Sequence, residues 1–200
     1  MIKLVALDLD GTLLNENREI PEDTKTRLND LKNQGISIVL ATGRSFESAK
    51  RYYYELDLHT PLIGCNGGLI YQPNAKEVIW GAAFSKEDFE RVVSILKESG
   101  VYYQYYDLHC IYAKRLAFGV KRWKFENINL PKEWQMQIRV VEDPLLWARE
   151  EYHPVYKILA RLTRQEKLDE VVDAIKQIEG IEVHLQARIG SGDRLFGSIT

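Results

Sequence analysis

Asp8 and Asp10 stand two residues apart where an apolar run ends, in Leu4-Val5-Ala6-Leu7-Asp8-Leu9-Asp10-Gly11-Thr12-Leu13-Leu14. A carboxylate can attack phosphorus to give an aspartyl-phosphate, which divides one difficult displacement into two easier ones, and Asp8 is the candidate nucleophile. A second carboxyl on the same side can protonate the leaving oxygen and later take a proton from the attacking water. Asp10, two residues on in an extended segment, has that placement. Two carboxylates this close repel, which raises the pKa of one or recruits a divalent cation, and Mg²⁺ suits both because it seeks oxygen ligands and also clamps phosphate. Gly11 lets the backbone approach a phosphate closely, and Thr12 adds a hydroxyl donor.

A calcium loop is the sharpest rival for these acids, since Asp8, Asp10, Thr12 and Glu19 fall at positions one, three, five and twelve of an EF-hand. Leu13 occupies the position that requires Gly, and a strand precedes the acids instead of a helix, which excludes that reading. Leu4 to Leu7 has the continuous apolar character of a strand buried on both faces, and such strands deliver side chains to a crevice at their carboxyl ends. Pro21-Glu22-Asp23 opens a helix that Gly35 ends. Ile36 to Leu40 forms a second strand, Ser45 caps a helix through about Tyr54, and Pro61 to Cys65 forms a third strand. This βαβαβ order implies a Rossmann-like parallel sheet with right-handed crossovers, an α/β fold. Leu69 to Gln72 and Glu77 to Trp80 read as a hairpin.

The character changes near Ala82. Ser85-Lys86-Glu87-Asp88 begins a helix, Val101 to Tyr106 and Cys110 to Ala113 read as strands, and 114–154 carries helices near 117–125 and 144–151 with a strand near 136–142. Val155 to Leu162 is a strand, Gln165 to Ile178 an amphipathic helix, and 181–189 an alternating strand. The boundaries are therefore 1–81, 82–189 and an unassigned tail at 190–200.

A chain of 200 residues with 45% hydrophobic content supports a good core and a smaller second unit. Its net charge of -2 supplies no basic field for nucleic acid. No apolar run is long enough to span a membrane, and the N-terminus has no signal-peptide pattern. Cys65 and Cys110 lack metal or disulfide spacing and read as buried, reduced thiols of a cytoplasmic protein. His59, His109, His153 and His184 are scattered, without the i,i+4 pairing of a metal-binding face.

The segment Asp8-Leu9-Asp10-Gly11-Thr12-Leu13-Leu14 resembles the first motif of the haloacid dehalogenase superfamily phosphatases. Thr42, in Val39-Leu40-Ala41-Thr42-Gly43-Arg44, is similar to that family's second motif, and Asn66-Gly67-Gly68 resembles the signature of its Cof-type subgroup, hydrolases of sugar phosphates and other small phosphates. The resemblance implies that Thr42 and Gly43, with Thr12, bind the transferring phosphoryl group. Asn66 and Gly67 become substrate contacts, and Arg44 is either a substrate-phosphate contact or an ordinary charge opening a helix. It further implies that 82–189 is an inserted α/β cap that closes over the site and sets specificity. The expected activity is Mg²⁺-dependent hydrolysis of a small phosphorylated metabolite. The second Asp separates this from carbon-halogen hydrolysis, while a phosphomutase needs the same residues and stays open. Tyr102-Tyr103-Gln104-Tyr105-Tyr106 and Trp123, Trp134 and Trp147 read as packing residues of the cap.

Two further motifs of the superfamily follow the cap: a lysine, and an acidic pair after a Gly-Asp. Gly192-Asp193 has no second acid after it, and Lys157, Lys167 and Lys176 lie inside cap elements. The expectation is therefore a C-terminally truncated chain whose first strand is left as an edge, with a catalytically impaired fragment as the alternative to a working enzyme.

Overall fold

A computed structural model describes residues 2–162, 165–181, 183–188 and 194–199. They divide into two compact units, Met1–Gly81 with Leu130–Gln135, and Ala82–Asn129 with Met136–Thr200. The Gly192-Asp193 pair singled out in the sequence lies outside the described residues.

The first unit runs β1 (Leu4–Leu7), α1 (Glu22–Asn33), β2 (Ser37–Leu40), α2 (Phe46–Glu55), β3 (Leu62–Gly64), β4 (Leu69–Gln72) and β5 (Glu77–Gly81). β1 and β2 are parallel, with Leu4 opposite Ser37 and Leu7 opposite Leu40. A parallel bridge from Ala41 to Ile63 continues the order to β3, and β4 and β5 extend it as an antiparallel meander. Short connections make this arrangement possible. After α1, Gly35 takes φ +80 and Ile36 donates back to the Leu31 carbonyl at 3.0 Å, a glycine-dependent helix stop. Lys32 Nζ then donates to the Leu56 carbonyl at 2.8 Å, fastening α1 to the C-terminal end of α2. Leu9, Leu40, Tyr52, Tyr53, Leu62 and Leu69 fill the core.

Three details depart from the sequence reading. Ser45 precedes α2 but does not cap it; its Oγ lies 3.2 Å from Ser48 Oγ instead of accepting from a helix amide. β1 is not buried on both faces: Leu4 is 56% exposed and Ala6 is exposed, since β2 is its one neighbour among the described residues. The stretch 130–135, placed by sequence in the second unit, packs with the first, where the turn Lys132–Trp134 lies against α2.

The second unit comprises α3 (Lys86–Glu98), β6 (Tyr102–Tyr106), β7 (Ile111–Ala113), α4 (Phe118–Glu126), β8 (Ile138–Val140), α5 (Pro144–Glu151), β9 (Lys157–Leu162), α6 (Gln165–Lys176), β10 (Val183–Arg188) and β11 (Arg194–Ile199). Its sheet has the order β10-β11-β9-β6-β7-β8, antiparallel except for the parallel pair β7 and β8. Side-chain alternation along the strands builds two layers. Tyr103, Tyr105, Tyr112 and Ile158 meet α3, α5 and α6 through Phe89, Trp147 and Val171, while Tyr106, Ile111 and Ala113 meet Val120 and Met136 on the other face. The tyrosine run is thus a strand that packs rings on both sides. Ser85 caps α3 by accepting from Asp88 N–H at 3.0 Å, and Asp143 caps α5 from Leu145 N–H at 3.1 Å. The tail holds an element the sequence does not show: β11 occupies 194–199 between β10 and β9. Cys65 is buried, but Cys110 is only half-buried.

Phe89 is wholly buried, with ring centroids 5.0 Å from Tyr105 and 5.6 Å from Trp147 and Tyr152. Phe89→Ala leaves a cavity at that junction and is expected to destabilise the second unit by about 3–5 kcal/mol, read by urea denaturation.

Candidate active site

Asp8 is the first residue past β1 and keeps extended backbone, φ -80 and ψ 158. Leu9 is fully buried while Asp8 and Asp10 are exposed, so the two carboxylates project to the open side and Leu9 to the core. The chain then winds through a single wide turn, Leu9–Leu13, in which Leu13 N–H reaches the Asp8 carbonyl at 3.3 Å and Leu14 N–H the Leu9 carbonyl at 3.0 Å. Gly11 takes φ +80 there and a Cβ would meet nothing within 4 Å, so the backbone angle rather than crowding calls for glycine. Buried Leu9 and Leu13 anchor the turn, and Thr12 sits exposed on it. The Asp8 carboxylate makes no hydrogen bond among the described residues.

Beside Asp8, the ladder carries Thr42 into place. Ala41 N–H donates to the Leu7 carbonyl at 2.9 Å and Thr42 N–H to the Ile63 carbonyl at 2.9 Å, which sets position 42 between the ends of β1 and β3. Thr42 is 6% exposed, and its Oγ1 accepts from Arg44 N–H at 3.2 Å, so its own proton remains available to another acceptor. After β3 come three consecutive left-handed residues, Cys65 at φ 54, Asn66 at φ 61 and Gly67 at φ 95. Such an angle is costly for Cys, less so for Asn, and persists at Cys65 where neighbours hold it. Cys65 N–H donates to the Arg44 carbonyl at 2.8 Å, Asn66 N–H to the Thr42 carbonyl at 3.3 Å and Gly68 N–H to the Cys65 carbonyl at 3.1 Å. Two glycines permit this approach: a Cβ on Gly64 would lie 3.1 Å from the Arg44 carbonyl oxygen, and one on Gly43 would lie 3.1 Å from Asn66 Oδ1.

Arg44 spans the site. Its Nε and Nη2 donate to Asp10 Oδ2 and Oδ1, each at 2.7 Å, and Nη1 donates to the Ser48 carbonyl at 3.2 Å. The guanidinium stands 5.1 Å from the Tyr52 ring centre, and the side chain is 13% exposed. Burial, the largest single influence, pulls the guanidinium down, but hydrogen bonding to Asp10 together with the charge and hydroxyl of Tyr52 and the charge of Asp10 holds Arg44 above its ordinary pKa. The structure therefore brings Asp8, Asp10, Thr12, Thr42, Gly43, Arg44, Asn66 and Gly67 to the carboxyl ends of β1, β2 and β3. The bond from Arg44 to Asp10, and its backing by Ser48 and Tyr52, was not legible in the sequence, because no local spacing marks a contact across 34 residues.

The family profile described as haloacid dehalogenase-like hydrolase matches residues 5–192, and the chain belongs to that family. It is 32% identical over 122 residues to 5-amino-6-(5-phospho-D-ribitylamino)uracil phosphatase YitU of Bacillus subtilis, a match covering 54% of this chain and 44% of that protein. It is 35% identical over 77 residues to pyridoxal phosphate phosphatase YbhA of Escherichia coli, covering 38% of this chain and 28% of that one. The chain thus matches less than half the length of either relative. Among solved structures, a haloacid dehalogenase-like hydrolase from Bacteroides thetaiotaomicron superposes with TM-score 0.78 at 25% identity, over 100% of this chain and 71% of that one.

Gly11→Ala forces an L residue into a left-handed angle without a clash. It is expected to cost about 1–2 kcal/mol of stability of the first unit in chemical denaturation.

Proposed function

We propose that the chain is a phosphomonoester hydrolase of small phosphorylated metabolites that works through an aspartyl-phosphate on Asp8. The observation that carries this reading is an Asp8 carboxylate at a strand end that makes no hydrogen bond among the described residues, flanked by the Thr42 hydroxyl with a proton to give. In the first step an Asp8 oxygen attacks phosphorus, the ester oxygen leaves, and Asp10 supplies the proton that converts it to an alcohol. In the second, Asp10 takes a proton from water as the water oxygen attacks phosphorus, the bond to Asp8 breaks, and inorganic phosphate and the Asp8 carboxylate are released. Thr12, Thr42 and Gly43 hold the phosphoryl oxygens, and Asn66 and Gly67 contact the rest of the substrate.

Among the described residues no three acidic, imidazole or thiol groups come together as a metal cage. The donor set is two carboxylates at one strand end, which fits Mg²⁺, an ion held through one or two carboxylates while water and substrate phosphate complete its shell. Asp8 offers a carboxylate that makes no hydrogen bond among the described residues, and Asp10 brings a second carboxylate to the same strand end. When bound, Mg²⁺ supplies charge neutralisation for the phosphoryl oxygens. The relatives support the substrate class, since YitU and YbhA are named as phosphatases of a phosphoribitylamino-uracil and of pyridoxal phosphate. Cys65 and Cys110 form no disulfide, which suits a reducing cytoplasm. No helix among the described residues is long and apolar enough to cross a membrane.

The test is turnover of p-nitrophenyl phosphate by the purified chain with added Mg²⁺. Asp8→Asn is expected to lower kcat by on the order of 10⁴-fold or more, and the chelated protein to lose activity that Mg²⁺ restores. A folded chain that turns over no phosphate ester contradicts the reading.

A further inference from the structure

Arg44 uses every polar group it has on another part of the site. Its N–H donates to Thr42 Oγ1, its carbonyl accepts from Cys65 N–H, and its guanidinium forks onto both oxygens of Asp10. One residue therefore ties the turn after β1 to the loops after β2 and β3. The Asp10 side chain is 57% exposed, and an exposed carboxylate on a single loop would otherwise sample several rotamers. The fork is itself held: Nη1 is bonded to the Ser48 carbonyl, Tyr52 lies beneath, and Arg51 lies over the same Tyr52 ring at 4.4 Å. A surface ion pair ordinarily contributes little, but a bidentate pair with one partner largely buried fixes direction as well as distance.

We infer that Arg44 is a positioning residue for Asp10, and that its guanidinium is not the phosphate contact that the sequence left open. The inference rests on the role proposed for Asp10 above. The fork engages both Asp10 oxygens, each at 2.7 Å, and so fixes the plane of the carboxylate as well as its distance. Held in this way, the Asp10 carboxylate keeps one orientation toward the leaving oxygen in the first step and toward water in the second. Lysine cannot reproduce this, because an ammonium is a point charge without the planar fork.

Proton donation matters most when the leaving group is a poor one, which separates positioning from general damage. The full chain, Asp10→Asn, Arg44→Lys and Arg44→Ala are assayed on p-nitrophenyl phosphate, whose leaving group departs unprotonated, and on ethyl phosphate, whose leaving group does not. Asp10→Asn and Arg44→Ala are both expected to lose kcat on ethyl phosphate at least about tenfold more than on p-nitrophenyl phosphate, with KM little changed and Arg44→Lys between them and the parent. If Asp10→Asn shows no such difference, the role of Asp10 is wrong. If Asp10→Asn shows it while Arg44→Ala lowers both esters equally, or raises KM instead, the positioning role is overturned and a phosphate contact stands in its place. A stability cycle needs no turnover: Asp10→Asn, Arg44→Ala and the double variant, compared in urea, are expected to be coupled by on the order of threefold or more in the unfolding equilibrium constant. Additive effects there overturn the inference whatever the activity.

Discussion

The amide of Ala41 donates to the Leu7 carbonyl and that of Thr42 to the Ile63 carbonyl, both at 2.9 Å, and the chemistry of this molecule depends on that pair of bonds. Parallel neighbours must end in register for those bonds to form. Once they do, the residues that follow β1, β2 and β3 emerge at the same edge, with Asp8 beside Thr42 and Thr42 beside Cys65. No side chain has to travel to assemble the site. The strands could not be shifted by one residue without turning Asp8 into the core and Leu9 out of it, so the same hydrophobic pattern that folds the sheet fixes where the Asp8 carboxylate points.

Loop conformation adds what the ladder cannot. Three left-handed residues at 65–67 fold the third loop back toward the second, and the cost at Cys65 and Asn66 is offset by their amide bonds to Arg44 and Thr42. Gly64 and Gly43 matter for absence of bulk, Gly11 for its angle; they are three glycines with two different reasons. Asp8 and Asp10 end up in different surroundings although two residues separate them. Among the described residues the Asp8 carboxylate makes no hydrogen bond, while that of Asp10 is gripped by a fork.

Much of this was legible in the sequence because it is local. The D-x-D-G-T turn, the threonine after the second strand and Asn66-Gly67-Gly68 each depend on a few adjacent residues, and apolar periodicity marked the elements around them. What the sequence withheld was long-range. The Arg44 to Asp10 fork spans 34 positions. The order β10-β11-β9-β6-β7-β8 cannot be read from strands that are not neighbours in the chain. Gly197 and Ser198 are poor strand formers in a tail the sequence left unassigned, yet in β11 they pair with Leu185 and Ala160, and with His184 and Leu159, so partners on both sides override a weak local preference. The apolar run of β1 misled in the opposite sense, since composition reports what a strand tolerates and not which neighbours cover it.

The account turns on Asp8 taking the phosphoryl group. Acid quenching during turnover of p-nitrophenyl phosphate, followed by borohydride reduction and peptide mass spectrometry, converts an aspartyl-phosphate into homoserine at the position that carried it. Homoserine at position 8, formed only with substrate, is the result the account requires. Substrate consumed with Asp8 unmodified, or with the mark on another residue, would contradict it.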